Sequence, residues 1–164
     1  MARPDAFDDL CREQSADLVH FATLVAGSRQ AGQDLAQDAL LEMWRRWDRL
    51  ELADPSAYLH TVVIRRQHRL RQRFWNREVP AADPGRDETT ASGDDRVISR
   101  QVLVHALATL PARQREAVVL CHVFDHSTAD AAEMLKCSPA AIRSLCDRGL
   151  RALRAQLTEE DSHA

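Results

Sequence analysis

The stretch STADAAEMLKCSPAAIRSLCDRGLRAL, residues 127–153, has the pattern of two helices joined by a tight turn. Thr128 is predicted to cap the first helix, and Lys136, Cys137 and Ser138 to form the turn. Ser138 suits the N-cap of the second helix because its hydroxyl can accept a hydrogen bond from a free backbone N–H, and the proline after it fits the first helical position. The pattern predicts either a helix-turn-helix that reads a DNA major groove or a helical hairpin that only packs.

The second of these helices has the features of a groove reader at its start. Small side chains there let the backbone approach DNA, and the exposed N–H groups of a helix N-terminus can meet a phosphate. The candidate DNA-contacting residues of this segment are Ser138, Ala140, Ala141, Arg143, Ser144 and Arg148.

Charge is distributed unevenly along the chain. The net charge of the 164 residues is −3, which excludes a generally basic nucleic-acid binder. However, residues 58–77 carry six arginines and no acid, and residues 78–96 carry six acids and two arginines. This division indicates a local anionic partner for the first of the two segments.

Hydrophobic periodicity predicts an all-α protein with two small helical domains. Few glycines, few aromatic residues and little β-branched alternation support this class. Residues 79–95 contain two prolines, two glycines and many small polar residues, so we expect a flexible acidic linker there. The predicted domains are residues 5–78 and 96–157, and residues 158–164 are expected to form a frayed tail.

The helix predicted at residues 33–47 has an apolar side and a charged side. The apolar side is expected to be buried and comprises Leu35, Ala39, Leu40, Met43, Trp44 and Trp47. The outer side comprises Gln37, Asp38, Glu42, Arg45 and Arg46, and it is either a plain solvated face or a docking surface.

The helix predicted at residues 57–77 combines arginines with aromatic residues near its end. Guanidinium groups can meet phosphates and aromatic rings can stack on unpaired bases, so this helix is a candidate nucleic-acid face. A basic helix that binds an acidic protein, or the chain's own acidic linker, is the alternative. The candidate contacts are Arg65, Arg66, Arg69, Arg73 and Trp75.

Catalytic, metal and membrane functions have no support in the sequence. No segment pairs a nucleophile with a base, no glycine-rich phosphate loop occurs, and the four cysteines lack paired metal spacing. We therefore expect no enzyme activity, no catalytic residue, no metal and no cofactor. No signal peptide or long apolar run is evident, so we expect a cytoplasmic protein without a membrane partner.

Four segments in order resemble the bacterial RNA polymerase sigma factors of the sigma-70 family, extracytoplasmic-function (ECF) type. They are DLAQDALLEMW at 34–44, AYLHTV at 57–62, ALATLPARQRE at 106–116, and the helix-turn-helix at 127–153. The resemblance implies region 2 and region 4 helical domains. It also implies core RNA polymerase and promoter DNA as partners, with an anti-sigma factor as a possible further one. The chain departs from the family pattern at Lys136, where glycine is usual, so the promoter sequence is not predicted.

The resemblance implies a role for each candidate surface. Core polymerase would be bound by Gln37, Asp38, Leu41, Glu42 and Arg45. The −10 element would be bound by Arg65, Arg66, Arg69, Arg73 and Trp75. The −35 element would be bound by Ser138, Ala140, Ala141, Arg143, Ser144 and Arg148. Arg113 and Arg115, which are expected to be exposed at the start of a helix, would contact phosphates.

Two other functions stay open at this point. A helix-turn-helix regulator that never touches polymerase would explain residues 111–157 but would leave residues 33–77 without a role. A divergent sigma-like thiol or metal sensor would be built from Cys121, His122, His126, Cys137 and Cys146. Cys137 and Cys146 are nine residues apart and therefore about half a turn out of phase on a helix with roughly 100° per residue.

Overall fold

A computed structural model describes residues 3–76 and 95–162. The helices are α1 at Arg3–Ala26, α2 at Arg29–Arg46, α3 at Pro55–Asn76, α4 at Asp95–Ala108, α5 at Ala112–Val118, α6 at Thr128–Leu135 and α7 at Pro139–Ser162. A 3₁₀ turn follows α2 at Trp47–Arg49, and a π-helical turn follows α5 at Val119–Val123. No strand occurs within the described ranges, and the predicted all-α class is confirmed.

The chain divides into two compact units, Met1–Gly85 and Arg86–Ala164. Helices α1 to α3 form the first unit, and α4 to α7 form the second. The predicted linker lies outside the described residues except for Asp95, where α4 begins, so the domain boundaries stay a prediction. None of the described helices is long and apolar enough to cross a membrane.

The first unit is a bundle in which α1, α2 and α3 all pack on one another. Its fully buried side chains include Leu18, Phe21, Leu24, Met43, Leu59 and Ile64. Gly27 ends α1 in the left-handed region, at φ 83°, and its N–H donates to the Thr23 carbonyl at 2.9 Å. Ser28 then caps α2 by accepting a hydrogen bond from the Ala31 N–H. This short connection makes α1 and α2 antiparallel neighbours.

Glycine is required where α2 approaches α1 most closely. A Cβ added to Gly32 would lie 2.5 Å from both the backbone nitrogen and the Cα of Thr23. Because those atoms belong to the backbone, no side-chain rotation could relieve such a contact. The absence of a side chain at Gly32 therefore determines how closely the two helices pack.

The second unit is centred on the packing of α5, α6 and α7. Its core includes Leu107, Leu120, Leu135 and Ile142, all nearly inaccessible to solvent. A Cβ on Gly149 of α7 would lie 2.7 Å from Cγ2 of Val118. The helices α5 and α7 are thus in close contact at this point.

The helix-turn-helix has the predicted order but a different first cap. Ser127, not Thr128, caps α6, since its hydroxyl accepts a hydrogen bond from the Asp130 N–H at 3.0 Å. Thr128 is the first helical residue, so the prediction that it is the cap is wrong by one position. Ser138 caps α7 as predicted, accepting from the Ala141 N–H at 3.1 Å.

The turn between α6 and α7 is closed by backbone hydrogen bonds around Lys136. Lys136 adopts the left-handed conformation with φ 52° and ψ 51°. Its N–H donates to the Glu133 carbonyl, and the Cys137 N–H donates to the Ala132 carbonyl at 3.0 Å. This pair of bonds is a Schellman motif, which satisfies the last carbonyls of α6. A lysine therefore occupies a position whose conformation favours glycine.

The C-terminal end of α7 extends further than the sequence predicts. The helix continues to Ser162, and the Thr158 and Ser162 hydroxyls donate to carbonyls four residues earlier. The prediction of a frayed tail from residue 158 is therefore wrong as far as Ser162.

Candidate nucleic-acid interface

The outer face of α2 exposes apolar as well as polar side chains. Gln37, Asp38 and Arg45 are exposed as predicted. Leu41 is 49% exposed and Trp44 is 47% exposed, so the prediction that Trp44 is buried is wrong. Leu41 and Trp44 are three residues apart and therefore adjacent on one face of α2, and an adjacent pair of exposed apolar side chains among polar ones fits a docking surface.

The ring of Trp44 is held in place although half of it is accessible. Phe7 of α1 contacts Trp44 with ring centroids 4.9 Å apart and contacts Trp47 edge-on at 5.2 Å. Such aromatic pairs favour tilted arrangements of this kind. Phe7 therefore covers part of the Trp44 ring, and the rest stays accessible on the α2 face.

Glu42 does not lie on this face. It is only 8% exposed, so the prediction that it is an outer residue is wrong. Its carboxylate accepts hydrogen bonds from Arg65 and, at 3.1 Å, from Arg66 of α3, and Arg46 lies 3.6 Å away. Glu42 therefore joins α2 to α3 through an ion-paired cluster.

Charge stabilises the ionised form of Glu42. Burial by itself raises the pKa of the Glu42 carboxyl. The hydrogen bond from Arg65 and the positive charges of Arg65, Arg66 and Arg46 outweigh burial, so the pKa lies below its usual value. The carboxylate is consequently ionised throughout the neutral pH range.

The arginines of α3 fall into two groups. Arg65 and Arg66 are half-buried and ion-paired with α2, and Arg66 also reaches Asp38 at 3.3 Å. Arg69 and Arg73 are exposed, and Trp75 is 89% exposed. The second group is therefore available to a nucleic acid without any rearrangement, whereas the first group is engaged within the unit.

Arg113 and Arg115 are not the exposed residues that the sequence predicts. Arg113 donates to the Leu135 carbonyl at the end of α6, at 3.0 Å. Arg115 donates to the Ala108 and Leu110 carbonyls at 3.5 and 3.3 Å. Both side chains are half-buried, and they donate to carbonyls at the last residue of α6, at the last residue of α4 and in the turn after α4.

The start of α7 presents the predicted groove-reading residues together. Ser138, Ala140, Arg143, Ser144 and Arg148 are exposed. Ala141 is half-buried. The Arg148 Nε donates to the Ser144 carbonyl at 3.4 Å, which places these two residues side by side on one face. This end of α7 therefore combines small exposed side chains with two exposed cations, Arg143 and Arg148.

The cysteines and histidines do not assemble into a metal site. In the part of the chain that the structure describes, no three His, Cys, Asp or Glu residues lie close enough to hold a metal ion. Cys137 is half-buried in the turn, whereas Cys121 and Cys146 lie close enough for each thiol to shift the pKa of the other. Sequence spacing does not indicate this pair, since 25 residues separate its members.

Two family models match the chain. The Sigma-70 region 2 model matches residues 3–76, and the Sigma-70, region 4 model matches residues 100–153. The RNA polymerase sigma-E factor of Streptomyces avermitilis is 32% identical in an alignment that covers 96% of this chain and 88% of that protein. The ECF RNA polymerase sigma factor SigM of Mycobacterium tuberculosis is also 32% identical, over 93% of this chain and 76% of that protein.

A solved structure shares the fold. The sigma factor RpoE of Bartonella quintana, crystallised with the anti-sigma factor NepR, matches with a TM-score of 0.70. The identity is 24%, and the match covers 93% of this chain and 97% of that one. With both regions in order and relatives matched along most of their length, the chain belongs to the sigma-70 family, as an ECF-type RNA polymerase sigma factor, and it acts in transcription initiation.

Proposed function

We propose that this sigma factor binds core RNA polymerase through the outer face of α2 and contacts promoter DNA through α3 and α7. The observation that carries the proposal is the exposure of Leu41 and Trp44 beside Gln37, Asp38 and Arg45. A central apolar patch bordered by polar groups is the usual composition of a protein–protein interface. Glu42 supports this face from beneath and is not itself a contact.

The exposed end of α3 is proposed to bind the −10 element. Arg69 and Arg73 are free to meet phosphates, and Trp75 offers an accessible ring to an unpaired base. Stacking of one base on an aromatic side chain is worth about 1–3 kcal/mol, which offsets part of the cost of opening the duplex. Arg65 and Arg66 are already ion-paired with α2. They would therefore contribute to DNA binding mainly through their positive charge and not through direct phosphate contacts.

The start of α7 is proposed to enter the major groove of the −35 element. Ser138, Ala140 and Ala141 allow close approach of the backbone, and Arg143, Ser144 and Arg148 supply side-chain contacts. Arg113 and Arg115 would then act by holding the helices of the second unit rather than by contacting phosphates. Two weak DNA contacts on one chain reinforce each other through effective concentration.

We also propose that an anti-sigma factor binds this protein and that the protein is cytoplasmic. RpoE of Bartonella quintana was crystallised with an anti-sigma factor, and it has the same fold as this chain. The apolar α2 face and the exposed Leu70 and Phe74 of α3 are surfaces that such a partner could cover. A protein that works on core polymerase and promoter DNA must be in the cytoplasm.

Run-off transcription on genomic fragments tests the function directly. We expect purified core polymerase to produce new start sites only when this protein is added. Leu41→Asp should weaken core binding at least tenfold, because it puts an unpaired charge in the centre of the interface. Leu157→Asp is a matched control, since Leu157 is 59% exposed in the second unit and should change core binding less than twofold.

Two results would contradict the proposal. A chain that does not associate with core polymerase at low salt, yet binds DNA alone, would be a helix-turn-helix regulator. Equal core binding by wild type and Leu41→Asp would leave the family assignment intact and remove the α2 face as the docking site.

A further inference from the structure

Two thiols meet in the interior of the second unit. Cys146 of α7 is buried, Cys121 of the π turn is half-buried, and the two thiols lie close enough for each to shift the pKa of the other. Neither residue belongs to the proposed polymerase or DNA surfaces. The other two cysteines of the chain are elsewhere, Cys11 in α1 and Cys137 in the turn before α7.

Helix packing brings the two thiols into register. Gly149 lies directly against Val118, since a Cβ on Gly149 would be 2.7 Å from Cγ2 of Val118. Cys146 is three residues before Gly149, and Cys121 is three residues after Val118. Residues three apart on an α-helix share a face, so Cys146 lies on the side of α7 that faces α5, and Cys121 lies in the π turn that directly follows α5.

The π turn contributes to this arrangement. The Phe124 N–H donates to the Val119 carbonyl at 3.1 Å, and the His126 N–H donates to the Leu120 carbonyl at 2.9 Å. These bonds span five and six residues, so the backbone is wider here than in an α-helix. Asp125 completes the turn with φ 55°. Cys121 therefore lies in the widened part of the backbone.

We propose that Cys121 and Cys146 are a disulfide-forming pair, oxidised by a small-molecule disulfide, whose bond ties the π turn to α7. The Cys121 thiolate attacks the small disulfide, which forms a mixed disulfide and releases one thiolate. Cys146, after losing its proton to solvent, attacks the Cys121 sulfur and releases the second. Two electrons pass from the cysteine pair to the reagent, and the two protons lost from the cysteines are taken up by the released thiolates.

The order of the two steps follows from the surroundings of each sulfur. Cys121 is the more accessible, and although burial raises its pKa, the hydrogen bond from Cys146 offsets part of that rise. Burial, with the neighbouring Cys121 and Asp147, raises the pKa of Cys146 to about 12. Both thiols are therefore protonated at neutral pH, and the bridge forms slowly rather than as a rapid peroxide response.

The bridge leaves the proposed DNA face free. Arg143, Ser144 and Arg148 are exposed, whereas Cys146 on the same helix is buried against the π turn. The inference is thus independent of the proposed function. It concerns the stability of the second unit, in which a covalent link between residues 121 and 146 would restrict the unfolded chain.

Equilibration of the full chain in reduced and oxidised glutathione buffers tests the proposal. We expect one intramolecular bridge per chain, found by peptide mapping between Cys121 and Cys146, with Cys11 and Cys137 still open to alkylation. The rate should rise with pH above neutrality. The thermal midpoint of the second unit should rise by roughly 10–25 °C on oxidation, while affinity for promoter DNA changes less than twofold.

Variants separate this pair from adventitious oxidation. Cys121→Ser and Cys146→Ala should each abolish the bridge, and Cys137→Ser, the matched control, should retain it. Bridges that involve Cys137, or a glutathione adduct on Cys121 that Cys146 never displaces, would overturn the proposal. The mapping on the unmodified chain decides the question even if the Cys146 variant does not fold.

Discussion

The carboxylate of Glu42 accepts a hydrogen bond from Arg66 at 3.1 Å, across the interface between α2 and α3. Arg65 donates to the same carboxylate, and Arg66 reaches on to Asp38 at the edge of the proposed polymerase face. The helix proposed to bind polymerase and the helix proposed to bind the −10 element are therefore joined by one cluster of charges. Removing Glu42 should disturb this unit without touching the docking surface.

We predict that Glu42→Gln lowers the free energy of unfolding of the first unit by about 2 kcal/mol at neutral pH, because Arg65 and Arg66 lose a nearly buried counter-charge. Urea unfolding followed by tryptophan fluorescence measures this, since Trp44, Trp47 and Trp75 all belong to the first unit. Glu51→Gln, at an exposed position, is the control and should change stability by less than about 0.5 kcal/mol.

The same carboxylate predicts an acid dependence. The pKa of Glu42 is lower in the folded protein than its ordinary value of 4.5, so the stabilisation it provides is complete above pH 4.5 and is lost as the pH falls through the folded pKa. Glu42→Gln should therefore converge with wild type in acid and differ from it most at neutral pH. A difference in stability that does not change with pH would contradict the ion-pair explanation.

We predict that two arginines of the second unit have separable effects. Arg113→Ala should lower the stability of that unit by about 1 kcal/mol, because the Leu135 carbonyl loses its charged donor. Arg148→Ala should leave stability unchanged and reduce the salt dependence of promoter binding by about one phosphate contact. Hydrogen exchange in α6 and α7 measures the first effect, and binding at several salt concentrations measures the second.

If Arg113→Ala instead reduced the salt slope and left hydrogen exchange unchanged, the arginine would be a phosphate contact. The original sequence-based role would then be restored for that residue.

We predict that alanine is tolerated differently at the two close-packed glycines. Gly32→Ala should destabilise the first unit by about 3 kcal/mol or more, because its Cβ meets the rigid backbone of Thr23. Gly149→Ala should cost about 1–2 kcal/mol, because only a methyl group of Val118 must move and alanine favours the helix. Denaturant unfolding of each unit measures both. Equal costs would contradict the distinction between a backbone and a side-chain contact.

The periodicity of apolar residues is sufficient to predict α2, α3 and the two helices of the helix-turn-helix, because each one buries a single face. It could not predict the pairing of Glu42 with Arg65 and Arg66, which are more than 20 residues away in the chain. Only Arg46, four residues from Glu42, is a signal visible in the sequence. The partial exposure of Trp44 is also not predictable from the sequence. The part of its ring that is covered depends on Phe7, which belongs to another helix.

The candidate DNA residues show the same limit. Ser138 was predicted correctly as a cap because capping depends on neighbouring residues. The prediction that Arg113 is exposed rests on its place at the start of a helix, yet its partner is the end of another helix that lies 22 residues further on. A hydrogen bond between sequence neighbours, such as this cap, can thus be predicted from the sequence. The partners of long charged side chains cannot, because they depend on tertiary packing.

The left-handed residue at the helix-turn-helix turn provides the last prediction. Lys136 has φ 52° and carries a Cβ, which costs about 1–2 kcal/mol in this conformation. Lys136→Gly removes that cost but increases the entropy of the unfolded chain by about 0.4–1 kcal/mol, so we expect a net gain in stability of about 0.5–1 kcal/mol. Hydrogen exchange of α6 and α7 should slow accordingly.

Lys136→Ala separates the backbone effect from that of the lysine side chain. Alanine keeps the Cβ and therefore the strain, so this variant should match wild type in stability. If Lys136→Gly and Lys136→Ala were equally stable, the conformation at residue 136 would carry no strain. A loss of stability in both would mean that the lysine side chain itself stabilises the turn, since residue 136 follows the carbonyl end of α6, where a positive charge is favourable.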